Sequence, residues 1–323
     1  MNLQGFVDLQ VNGYRGIDFS DMTLTADEAV VALRGLVADG TAILLPTVIT
    51  ASEETYARNL PLMASILARP EFAACAPGLH LEGPFLSPRE GAAGAHMPKH
   101  MRPADPRILD RLQTLADGRI RLITIAPELP GAAEFIRHAR ARGISVSLGH
   151  HAGDARDIDA ACNAGATMLT HLGNGMPQQV DRHANALIDG MAEERLTACV
   201  IGDGHHLPWN LVKVILRAKG IGRCALVSDA SSLAGLPPGT YPCFGATAVI
   251  SADGRIANPD TGYLMGSSQT IRQVVNATRS ALQLTDAEIH RLAIINPLRM
   301  IGAPVTSDLP YLPRAADGSW LPA

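Results

Sequence analysis

The feature that most limits what this chain can become is a rhythm. Apolar runs of about six residues, the usual strand length, recur along it with amphipathic stretches between them. The runs are GFVDLQ (5–10), TAILLP (41–46), APGLHLE (76–82), IRLITI (120–125), ISVSLG (144–149), ATMLT (166–170), TACVIG (197–202) and CALVSD (224–229). Helical spacing fills 25–39, 53–68, 106–116, 131–142, 154–164 and 209–219. Strands that alternate with helices pair in parallel and bury both faces. Eight such runs predict an α/β chain closed into a (β/α)8 TIM-type barrel rather than an open doubly wound sheet, and 323 residues suit that fold plus additions. The link at 171–196 reads as irregular, 237–262 as a Gly/Pro-bounded β excursion, and 267 to about 301 as a last helical stretch. The expected organisation is therefore one barrel domain over 1–302 and a C-terminal tail over 303–323.

Composition narrows the function classes. A net charge of −4 without a Lys/Arg run argues against nucleic acid or an anionic membrane as partner. Met1-Asn2-Leu3-Gln4 lacks the basic start of a secretory leader, and no apolar stretch approaches the roughly 20 residues needed to span a bilayer. Five scattered cysteines without a C-x-x-C pair suit a reducing compartment. The expectation is a cytoplasmic protein.

Polar residues gather where these strands end. Gln10 and Asn12 follow the first, Glu82 the third, His150 and His151 the fifth, and His171 the sixth. Asp203, His205 and His206 follow the seventh, and Asp229 closes the eighth. In a barrel all of these ends converge on one face, where active sites lie. Singly, Glu82 could pair with a Lys or Arg, and each histidine could be a hydrogen-bonded core residue. Together, one glutamate and two histidines form a three-ligand set that leaves a metal an open position. Such a metal polarises carbonyls and acidifies water. Asp229 reads either as a loop cap or as a general base that takes a proton from water and passes it to a leaving group. His206 reads partly as a turn before the 209–219 helix. His96, Asn174 and Arg182 are loop residues whose chemistry alone does not place them.

The ordered set HLEGP (80–84), GH (149–150), THLGNGMP (170–177), DGHH (203–206), SDA (228–230) and GSS (266–268) resembles the N-acetylglucosamine-6-phosphate deacetylases, a branch of the amidohydrolase superfamily of (β/α)8 barrels. The likeness runs from GFVDLQVNG (5–13) to NPLRMIG (296–302). It implies hydrolysis of N-acetyl-D-glucosamine 6-phosphate to D-glucosamine 6-phosphate and acetate. It also implies Glu82, His150 and His171 as metal ligands, Asp229 as the catalytic residue and His96 as a substrate contact. Asn174, Gly175 and His206 would bind the sugar phosphate, and Arg182 would reach the site of a second subunit in a homodimer. Many superfamily members carry His-x-His on the first strand. Here the pair is Gln10-x-Asn12, which resembles the single-metal branch. One divalent ion per subunit is expected, Zn²⁺ foremost, with Fe²⁺, Co²⁺ and Mn²⁺ compatible with the same ligands.

Three departures accompany the resemblance. The family's Arg-(Glu/Asp)-Pro-Gly is Arg182-His183-Ala184-Asn185, and its HL(F/Y)NAM is His-Leu-Gly-Asn-Gly-Met, which suggests a looser loop at Gly173 and Gly175. The family's accessory β-sandwich is expected to be largely absent. Two alternatives remain open at this stage: a deacetylase of another N-acetylated amino sugar, such as N-acetylgalactosamine 6-phosphate, and a non-catalytic sugar-phosphate-binding relative. The sequence offers no account of Glu128.

Overall fold

A computed structural model describes residues 5–304 and 312–323. Residues 1–4, which carried part of the argument against a leader, and 305–311, part of the expected tail, lie outside the described residues. Eight parallel strands form the expected barrel: β1 (Phe6–Val11), β2 (Thr41–Ile49), β3 (Leu79–Glu82), β4 (Ile120–Ile125), β5 (Ser145–Leu148), β6 (Met168–Leu169), β7 (Thr197–Ile201) and β8 (Cys224–Val227). They neighbour one another in chain order. The ring closes just past β8, where Asn12 N donates to Ala230 O (2.7 Å) and Asp229 N to Gln10 O (3.1 Å).

Helices α1 (Ala26–Ala38), α2 (Glu53–Leu67), α3 (Pro106–Leu115), α4 (Ala132–Ala141), α5 (Ala155–Ala164), α6 (Ala186–Ala192), α7 (Trp209–Lys219) and α8 (Ile271–Leu282) surround the ring. Their starts obey local chemistry. Thr25 with Glu28 and Asp154 with Asp157 form capping boxes, and Asp105 caps a helix that opens on Pro106. The short α6 lies inside the link read as irregular.

The last helical stretch, expected over 267 to about 301, is helical but broken. Helix α8 stops where Gln283 takes a left-handed φ of 55°. The chain resumes as α9 (Asp286–His290), passes through a π-turn at Arg291–Ile295 and ends in α10 (Asn296–Met300). After β8 the excursion forms its own antiparallel sheet, β9 (Gly239–Cys243), β10 (Ala246–Ile250) and β11 (Ile256–Ala257). A separate apolar cluster that includes Leu233, Ile250, Ile256 and Met265 holds it together.

The barrel interior is unusually polar beneath its mouth. His80 Nε2 lies 2.8 Å from Thr124 Oγ1, which lies 2.9 Å from Thr170 Oγ1, and that hydroxyl donates to Ser147 Oγ (2.6 Å). All four are buried, so each must be satisfied within the protein. Asp8 is buried in the same interior and accepts backbone N–H bonds from Ser228 (3.0 Å) and Gln10 (3.4 Å). Burial dominates those bonds and pushes its carboxyl up to about 7.

Elsewhere the described C-terminal residues pack onto the barrel. Trp320 is buried edge-on against Phe6, with ring centroids 5.3 Å apart, and Ala323 N donates to Ala38 O (3.1 Å). No described helix is long and apolar enough to cross a membrane.

Candidate active site

The strand ends expected to carry chemistry do meet. Glu82 ends β3, while His150, His171 and Asp229 each stand two residues beyond β5, β6 and β8. These three share a backbone peculiarity: their φ values are 51°, 29° and 50°. Side chains rarely adopt this left-handed region, which costs about 1–3 kcal/mol per residue and persists only where surroundings enforce it. Three strained residues in one ring of loops mark the place where geometry outranks local stability.

The surroundings that enforce it are specific. Ser87 N donates to His150 O (3.0 Å), and His151 N donates to Gly175 O (3.1 Å). Glu128, unexplained by sequence, accepts from Ala152 N at 2.8 Å and so latches the loop that carries His150. Gly175, expected to loosen its loop, instead permits a close approach. A Cβ there would stand 2.7 Å from His150 Nδ1, and φ is +58°. The glycine makes room for the imidazole.

Glu82 Oε1 lies 3.0 Å from His171 Nε2 and 3.3 Å from His150 Nε2, and the two nitrogens are 3.1 Å apart. All three residues are buried. His150 Nδ1 faces Ala92 O at 2.8 Å. A carbonyl can only accept, so Nδ1 holds the proton and Nε2 turns a lone pair inward. Lone pairs crowded together this closely call for a cation among them. Around a tetrahedral ion with bonds of about 2.0–2.1 Å, donors stand about 3.3 Å apart. The observed spacings and the donor set fit a divalent metal. Burial alone would raise the Glu82 pKa, but the two histidines beside it outweigh burial and hold it well below the usual carboxylate range.

Asp229 sits across from these ligands. Gln10 Nε2 (3.0 Å) and Asn12 Nδ2 (2.8 Å) both donate to its Oδ1, which leaves Oδ2 for the cavity. Gln10 also donates to Glu82 Oε1 (2.8 Å). The neutral amides of β1 therefore tie the two carboxylates together. Burial, and then the charge of Glu82, raise the Asp229 pKa.

These residues line a cavity of about 340 Å³. No family model matches the chain. It is 32% identical over 313 residues to the N-acetylglucosamine-6-phosphate deacetylase of Homo sapiens, an alignment that covers 92% of this chain and 74% of the relative. It is 30% identical over 298 residues to the N-acetylgalactosamine-6-phosphate deacetylase of Escherichia coli O157:H7, covering 92% and 77%. A solved mutant of N-acetyl-D-glucosamine-6-phosphate deacetylase from Mycobacterium smegmatis, in complex with N-acetyl-D-glucosamine-6-phosphate, superposes with a TM-score of 0.85 at 30% identity, covering 94% and 78%.

This chain belongs to the N-acetylglucosamine-6-phosphate deacetylase family.

In this family member the remaining sequence candidates divide. His96, Asn174, Gly175 and His206 all line the cavity. His96 Nε2 is 3.2 Å from His150 Nε2, and burial together with that neighbour lowers its pKa to about 3, so its ring is neutral. His206 Nδ1 donates to Asp203 Oδ2 (2.7 Å), which fixes its tautomer and turns Nε2 outward. Burial raises the Asp203 pKa, but His206 and two backbone N–H bonds outweigh it and hold the carboxyl at about 2. Arg182 is different. It is exposed and does not line the cavity. The wall instead includes Gln178, Phe244, Arg255 and Tyr263, which sequence reasoning passed over. Nothing in their local patterns separates them from ordinary surface residues.

Proposed function

We propose that the protein is a metal-dependent deacetylase that hydrolyses N-acetyl-D-glucosamine 6-phosphate to D-glucosamine 6-phosphate and acetate. The observation that carries this reading is the convergence of Glu82, His150 and His171 opposite Asp229 in one cavity. Glu82, His150 and His171 would hold a single divalent ion, Zn²⁺ foremost. When bound, that ion supplies Lewis-acid polarisation of the amide carbonyl and acidifies water.

The chain's own residues do the rest. Asp229, placed by Gln10 and Asn12, takes a proton from water on Oδ2. Its raised pKa lets it keep that proton until the amide nitrogen departs and receives it. Neutral His96 offers an N–H to the carbonyl oxygen. Asn174 and His206 line the wall for the sugar. Burial of Glu82, His150, His171 and Asp229 keeps these interactions away from bulk water and strengthens each of them. A homodimer, with Arg182 reaching the neighbouring site, accords with the exposure of that side chain, and sedimentation of the purified protein would test it.

The first test is acetate release from N-acetylglucosamine 6-phosphate by zinc-loaded protein, beside the unphosphorylated sugar. Metal-dependent release is expected, and none from either sugar would overturn the reading. The Escherichia coli relative motivates a second reading, the galactosamine epimer as substrate. Comparing kcat/KM for the two epimers separates them.

A further inference from the structure

The cavity is electrically lopsided. Its deep end holds Glu82 and Asp229, which are 2% and 9% exposed, and no lysine or arginine. Among the described residues that line it, Arg255 is the single lysine or arginine, and it lies exposed. Its residue belongs to the loop between β10 and β11, so the β excursion delivers it.

That loop is built to hold still. Ser251 N donates to Arg255 O (3.0 Å), and Gly254 N donates to Ser251 O (2.9 Å). Ser268 Oγ, from the GSS stretch beside Asp229, donates to Gly254 O (2.6 Å). On the far side Asn258 Oδ1 caps Asp260 N (2.9 Å) and Thr261 N (3.0 Å). Arg255 Nη2 donates to Gly262 O at 3.2 Å, the one hydrogen bond its guanidinium makes among the described residues. A guanidinium carries five donors in a rigid fork. The others have no carboxylate partner among the described residues and remain for an anion.

We infer that Arg255 is the residue of this chain that grips the phosphate of the substrate. The inference rests on the reading above that the site accepts a phosphorylated amino sugar. The acetamido group and the 6-phosphate stand at opposite ends of such a sugar. With the amide at Glu82 and Asp229, the phosphate points toward the mouth. The guanidinium at the mouth attracts a dianion to that end, and the two floor carboxylates offset the charge of an ion held there, so the strongest uncompensated pull on the phosphate lies at the mouth. Bidentate contact would add register, because the planar fork matches phosphate oxygens. Arg255 is thus a specificity-determining residue supplied in cis, whatever Arg182 contributes from a second subunit.

Two measurements test this on metal-loaded protein: the ratio of kcat/KM for N-acetylglucosamine 6-phosphate over N-acetylglucosamine, and calorimetric affinity for glucosamine 6-phosphate with inorganic phosphate as a second probe. Arg255→Ala should lower both ratio and affinity about 10- to 100-fold, mainly through KM. Arg255→Lys should recover part of the loss, since it restores charge without the fork. If Arg255→Ala keeps ratio and affinity while Arg182→Ala loses them, the inference is overturned. It also falls if the wild type neither prefers the phosphorylated sugar nor binds glucosamine 6-phosphate. Binding of glucosamine 6-phosphate through Arg255 without turnover of either acetylated sugar would uphold the inference and sink the deacetylase reading alone.

Discussion

The floor and the mouth of the cavity are built on opposite rules. At the floor the side chains are tied to one another: Gln10 joins Glu82 to Asp229, Ala92 fixes the His150 tautomer, and Glu128 latches the loop behind it. At the mouth stand Arg255 and, outside the wall, Arg182, both exposed. On the proposed reading the floor carries the reaction and the mouth selects what reaches it.

That contrast can be broken from either side. The largest effect should come from His150→Ala, which removes one of three ligands. Metal measured by elemental analysis should fall well below one ion per chain, and turnover should become undetectable. Full metal content in that variant would refute the ligand set. Next, Asp229→Asn should retain the metal while kcat falls about 10²–10⁴-fold, the usual contribution of a placed general base. Rates near wild type would remove Asp229 from the chemistry.

A change at the opposite end of the barrel should leave the site alone. Trp320→Ala should cost about 3–5 kcal/mol of stability in a denaturant titration, with KM unchanged for protein that remains folded. A changed KM would show the two ends to be coupled.

The smallest predicted effect concerns Asp8. Its folded pKa, about 7, lies above the ordinary 3.8. The protein therefore gains relative stability below about pH 4 and loses it as pH climbs toward 7. Asp8→Asn, which still accepts the two backbone bonds, should melt roughly 2–4 °C above wild type at pH 8 and lose that advantage near pH 4. An equal shift at both values would refute a buried carboxylate as the cause.

The floor was also far more legible in the sequence than the mouth. Strand periodicity placed Glu82, His150, His171 and Asp229 at strand ends, and a barrel leaves such ends only one place to converge. Gln10 and Asn12 were read as neutral amides of a single-metal site, but not as the amides that join two carboxylates, because that role depends on closure between β1 and β8. The last helical stretch was legible, but the break inside it was not. Its apolar spacing continues through 271–300, while the break depends on Gln283 adopting a left-handed backbone, which residue type does not announce. Gly175 was read as freedom and proved to be clearance for a ring. Arg255 was illegible because an arginine in a turn looks like any solvated charge until the sheet folds it over a cavity.

The left-handed backbones of His150, His171 and Asp229 carry a consequence for anyone who breeds this protein for heat resistance. Glycine is the residue those positions favour on conformational grounds, and glycine there erases the reaction. Selection for folding alone should therefore drift toward a sturdier, silent barrel. Only an assay that demands turnover in every round would hold the three side chains in place.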